Sequence, residues 1–166
     1  MKNHNLSWII VILLNLILAN VLPGCSTTYN NQERAEIHFK QGILFAKSSD
    51  FENAVFEFQK AIEISPTSKA YANLGVCYMR IGKTNKALEA LQQAVSIDKS
   101  DSYALYNLTA IYSVQDKTDL ALDSLDKALK YGFNNYDAIR FDKDLDNLRA
   151  EPEFRKILEK HKVFLQ

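Results

Sequence analysis

Four columns of residues recur through this chain at one interval. Ala54, Ala87 and Ala121 are separated by 33 and then 34 residues, and Ala61, Ala94 and Ala128 repeat both steps. Phe45, Tyr78 and Tyr112 keep the same register, as do Phe58, Leu91 and Leu125. A period of this length marks a supersecondary unit stacked on copies of itself, because one unit alone buries only part of its apolar face.

Inside each unit the spacing is helical. In the middle unit Leu74, Tyr78 and Ile81 make one stripe, and Ala87, Leu91, Ala94 and Val95 make another. Gly82 stands between them, where a residue able to take φ > 0 ends the first helix. Asp50, Thr84 and Thr118 are the expected N-caps of the second helices. Small residues at Gly42, Gly75, Ala54, Ala87 and Ala121 permit close helix approach, and aromatic residues fill the remaining space. The run Ala70–Ala94 is thus the central rung of a three-unit array.

These residues resemble the tetratricopeptide repeat family. The first unit, about 35–67, supplies Gly42, Phe45, Ala54, Phe58, Ala61 and Pro66. The second, about 68–101, supplies Tyr71, Leu74, Gly75, Tyr78, Ala87, Leu91 and Ala94. The third, about 102–135, supplies Leu105, Leu108, Tyr112, Ala121, Leu125 and Ala128. Thr109 departs from the pattern's glycine, and Lys99 and Phe133 from its proline; these are differences of packing detail. The resemblance implies an all-α fold, a right-handed α-α superhelix closed by a capping helix.

Beyond Asn134 the period is lost, and residues 136–166 read as the cap. Ile139–Arg149 followed by Glu151–Leu158 resembles the closing segment of some bacterial arrays of this family. Pro152 in a first helical turn, flanked by Glu151 and Glu153, suits both the sterics and the dipole of a helix start. Phe154, Ile157, Leu158 and Val163 would cover the exposed flank of the third unit.

The N-terminus reads as an address. Trp8–Leu22 is apolar apart from Asn15 and Asn20, and its 15 residues are short of the ~20 needed to span a bilayer. It ends in Leu22-Pro23-Gly24-Cys25-Ser26, which resembles a bacterial lipobox. The resemblance implies a signal peptide at 1–24, cut after Gly24, with diacylglycerol on the Cys25 sulfur and acylation of the new amino group. Two or three acyl chains hold a protein on a membrane far more firmly than one, at ~0.8 kcal/mol per buried CH₂. The expected location is a bacterial cell membrane or outer membrane, on a polar lipidated tether at 25–32. Ser26 is not the acidic residue that directs inner-membrane retention in some Gram-negative bacteria.

Charge and chemistry narrow the function. The 20 basic and 20 acidic residues cancel, which gives no electrostatic ground for holding nucleic acid or an anionic membrane surface. Cys25 and Cys77 each have a separate explanation, so no disulfide is expected; Cys77 reads as a small buried hydrophobe. His38 and His161 lack the i+3 or i+4 partner of a metal pair, and His38 reads as a packed residue of the first helix. Asp142, Asp144 and Asp146 read as a solvated acidic turn, because the glycine and distal glutamate of a calcium loop are missing. No catalytic constellation, cofactor motif or metal site is expected, and the chain is not expected to be an enzyme.

An array of this family binds along the groove lined by the first helix of each unit. Carried over residue by residue, the resemblance places Phe39, Lys40 and Ile43 in that groove from the first unit. The second contributes Asn73, Val76 and Arg80, and the third Tyr103, Tyr106, Asn107 and Ala110. Asn73 and Asn107 stand where longer members hydrogen-bond the backbone of an extended peptide, while Phe39, Tyr103 and Tyr106 suit apolar side chains. Of the lysine, asparagine and arginine clamp that grips chaperone tails, only Asn73 matches. The expectation is a tethered scaffold for a protein or peptide partner; the alternative is a structural subunit of an envelope, secretion or pilus assembly, docking by its convex or capping surface.

Overall fold

The structure, a computed structural model, describes the backbone of residues 23–163 and the side chains of 30–163. Residues 1–22 of the expected leader lie outside it. The described chain is helical throughout: α1 (Pro23–Lys47), α2 (Phe51–Ile64), α3 (Ser68–Arg80), α4 (Thr84–Ile97), α5 (Ser102–Val114) and α6 (Thr118–Lys130). The cap comes next as α7 (Tyr136–Phe141), a 3₁₀ turn (Lys143–Leu145), α8 (Asp146–Arg149) and α9 (Pro152–Lys160). The polar stretch 25–32 is the N-terminal part of α1 rather than an irregular linker. Residues 25–32 contain neither glycine nor proline to interrupt that helix.

Each hairpin turns in the same way. Ser49, Gly82 and Asp116 take φ of 63°, 73° and 55°, at intervals of 33 and 34 residues. The next residue donates its backbone N–H to the aromatic column: Asp50 to Phe45 O, Lys83 to Tyr78 O and Lys117 to Tyr112 O, at 2.8–2.9 Å. Asp50 caps α2 by accepting from Asn53 N. In the other two hairpins the cap position belongs to Lys83 and Lys117, which make no side-chain cap bond. Thr84 and Thr118 are the first residues inside their helices, one place beyond the Asp50 column, so the expectation that they cap is corrected. Thr67 and Asp101 cap the first helices α3 and α5.

Glycine decides the hairpin spacing. A Cβ on Gly42 would lie 2.7 Å from the ring of Phe58, and one on Gly75 would lie 2.7 Å from Leu91 Cγ. Phe58, Leu91 and Leu125 are fully enclosed. Thr109, in the glycine column of the third unit, is also buried and donates its hydroxyl to Leu105 O at 3.0 Å.

Neighbouring hairpins pack α2 on α3 and α4 on α5, and the first helices also touch each other, α1 with α3 and α3 with α5. The first helices therefore form a continuous inner layer, and the second helices splay on the outside. A Gln–Tyr pair spans each junction: Gln59 donates to Tyr78 Oη (3.0 Å) and Gln92 to Tyr112 Oη (3.2 Å). Phe154, Ile157, Leu158 and Val163 are buried with Leu125 and Leu129 in one cluster, so the cap covers the third unit.

Candidate binding face

The inner layer places the sequence-predicted residues unequally. Asn73 and Arg80 are seven residues apart on α3, two helical turns and therefore one face. Asn73 donates one amide hydrogen to Lys69 O, and Asn107 does the same to Tyr103 O, both at 2.8 Å. These bonds hold both amides against their own helices; among the described residues neither carbonyl oxygen has a partner. The Arg80 guanidinium lies 5.3 Å from the centre of the Phe51 ring, bridging α3 to α2.

Phe39 is half-buried, its ring tilted against Phe58 at 5.6 Å. It lines a hollow of about 270 Å³ with Ala35, Ala61 and Ala70, bordered by Glu36 and Lys69. Sequence reasoning found Phe39 but missed the hollow. Three alanines gave no distinctive sequence signal for it, and their short side chains leave room beside the ring.

Tyr103 and Tyr106 part company. Tyr103 is 59% exposed and meets Phe133 edge-on at 5.4 Å. Tyr106 is buried, stacked on the same ring at 4.2 Å with 6° between the planes, and donates its hydroxyl to Asp142 at 2.8 Å. Burial raises the phenol's pKa well above its ordinary range, and the Asp142 hydrogen bond adds to the effect. Its place in an open groove is corrected: Phe133 and the cap occupy the space that face would offer a ligand. Arg149 fixes the cap by donating to Ile139 O (3.0 Å), Asp142 O (2.9 Å) and the Asp146 carboxylate. In the acidic turn Asp144 is shifted upward, by burial first and by the Asp142 and Asp146 carboxylates second.

The outer layer has its own hollow. Between α4 and α6, over α5, a cleft of about 480 Å³ is walled by Val95, Leu105, Leu108 and Tyr112, with Leu120 and Tyr131 on its edge. Among the described residues no cluster of three histidine, cysteine or acidic side chains is placed to hold a metal. Cys77 is buried, which pushes its thiol up to about 11. Cys25 lies within α1.

Comparison with known proteins agrees with this geometry. Tetratricopeptide-repeat family profiles match residues 35–68 and 68–101. Superkiller protein 3 of Schizosaccharomyces pombe is 30% identical over 93 residues, which are 55% of this chain and 7% of that protein. The chain therefore spans a small fraction of that relative's length. Among solved structures, the first TPR domain of Spaghetti (RPAP3), bound to the HSP90 peptide SRMEEVD, has a TM-score of 0.62 at 20% identity, covering 78% of this chain and 94% of that one. The MamA protein has a TM-score of 0.63 at 25% identity, covering 79% and 73%. With its three hairpins in one register, its inner layer of first helices and its cap, this chain belongs to the tetratricopeptide repeat family.

Proposed function

We propose that this protein is a lipid-anchored scaffold of a bacterial envelope whose inner helical face receives a short segment of a partner protein. One observation carries the binding part: the first helices form a continuous layer that carries Asn73 and Asn107 at the same repeat position, their amide carbonyls without a partner among the described residues, and whose first helix lines the apolar hollow at Phe39. Solved domains of the same fold hold HSP90 and Hsp70 peptides, which supports the same use here. The chaperone-tail clamp is absent, so the peptide class differs. The open part of the face runs from Phe39 to Tyr103, because the cap closes it at Tyr106. Three units offer a small interface against the ~800 Å² per partner of a stable complex, so moderate affinity is expected.

The anchor rests on the sequence around Cys25 and the 15-residue apolar run before it. Changing Cys25 to Ala should release the protein from membranes and abolish acyl labelling; membrane retention without label would refute the anchor. For the face, replacing Asn73 and Asn107 together by Ala should lower recovery of the native partner about tenfold, whereas unchanged recovery would favour the second reading. That reading is a structural subunit docked by its outer or capping surface, and the apolar cleft between α4 and α6 speaks for it.

A further inference from the structure

The two junctions between units share one register and differ at the positions that decide whether they are closed. At the first junction Pro66 and Tyr71 hold the places that Lys99 and Leu105 hold at the second. A rigid proline and a large ring are thus exchanged for a flexible lysine and a smaller branched chain, and the α4–α6 cleft remains. Its edge changes in the same direction. Leu120 replaces Lys86, and Tyr131 replaces Ile97; Leu120 is 49% and Tyr131 42% exposed.

A second apolar feature stands unpartnered among the described residues at the opposite end. The cap covers the last unit, whereas the outer side of α1 carries Ile37 at 51% and Leu44 at 66% exposure. They are seven residues apart, two turns, and so project from one side of the helix. Terminal units of such arrays ordinarily keep a polar outer face.

We propose that α1 of a second copy docks in the α4–α6 cleft, seating Ile37 and Leu44 between Leu120 and Tyr131. The patch fits within the cleft: Ile37 to Leu44 spans ~10 Å of helix, and Leu120 to Tyr131 ~16 Å. The charges agree as well. Glu33, one turn before Ile37, and Lys99, at the cleft's rim, make no ion pair among the described residues, and this docking brings them together. Patch and cleft are different surfaces, so the contact is head-to-tail, and successive copies form a ring or a row. Copies held on one membrane would meet at raised effective concentration.

The test uses two differently tagged full-length copies expressed together, one Leu44→Cys and the other Leu120→Cys, treated in intact cells with a bis-maleimide. A mixed-tag adduct that requires both cysteines is expected. Glu33→Lys should reduce it at least fivefold, and adding Lys99→Glu should restore it. An equal yield when Leu120→Cys is replaced by Lys86→Cys, at the first junction, would overturn the proposal. Adducts only between two Leu44→Cys copies would also overturn it, since α1 would then pair with α1. So would the absence of any adduct, whether Leu44→Cys is shielded from a monofunctional maleimide by another partner or freely labelled.

Discussion

Gly75 shows how much one residue decides here. Its missing Cβ lets α3 rest on Leu91, and an added methyl would sit 2.7 Å from Leu91 Cγ. Gly75→Ala should therefore cost about 1–3 kcal/mol through overpacking, read as a lower urea midpoint with an unchanged slope. Ser49 works in the opposite sense. It holds φ of 63° at the turn where the second unit has Gly82. Ser49→Gly should stabilise the protein by about 0.5–1 kcal/mol, left-handed strain relieved minus the extra freedom of an unfolded glycine; a destabilised variant would show that the turn carries no strain. Gly42 and Gly75 could be read from the sequence because glycine has few reasons to recur at fixed register, and Gly82 because it stands between two helical stripes. Ser49 and Asp116 could not, since serine has no such preference and aspartate's tolerance of φ > 0 is too weak to single out one position. The caps at Lys83 and Lys117 were hidden for a related reason: lysine offers no oxygen, and the adjacent threonines do.

At the scale of elements, one column joins each unit to its successor. Gln59 and Gln92 bond the tyrosine of the next first helix, and Asp126, in the same register, bonds Lys160 (2.8 Å) and His161 (2.7 Å) of the cap. Tyr112→Phe should remove the Gln92 bond at a cost of about 1 kcal/mol, measured by chemical unfolding. The Asp126 joint depends on pH. Burial raises its pKa, but the hydrogen bonds from Lys160 and His161 outweigh that and leave it lowered. Its stabilisation is thus present above the ordinary carboxylate range and is lost as pH falls through the lowered value. The difference in urea midpoint between the parent and Asp126→Asn should be clear at pH 7 and shrink toward pH 3; an equal difference at both would exclude this linkage. Helix pairing was legible because repetition supplies its own controls. The cap's contacts were not, because it leaves the register: Phe133 marked only the loss of a proline, yet it stacks on Tyr106 and removes that ring from the open face.

The whole molecule divides its labour between two layers. First helices touch one another and carry amides and the hollow at Phe39; second helices splay and leave a cleft at the junction that carries Lys99 and Leu105. This division is what separates a scaffold working through its inner face from a subunit docked by its outer one. The most direct measurement is site-specific photocrosslinking in intact cells, comparing a probe at Asn73 on the inner face with one at Glu89 on the outer face. The scaffold account predicts that the same partner is captured from Asn73 and not from Glu89. Capture of that partner from Glu89, with none from Asn73, would contradict it.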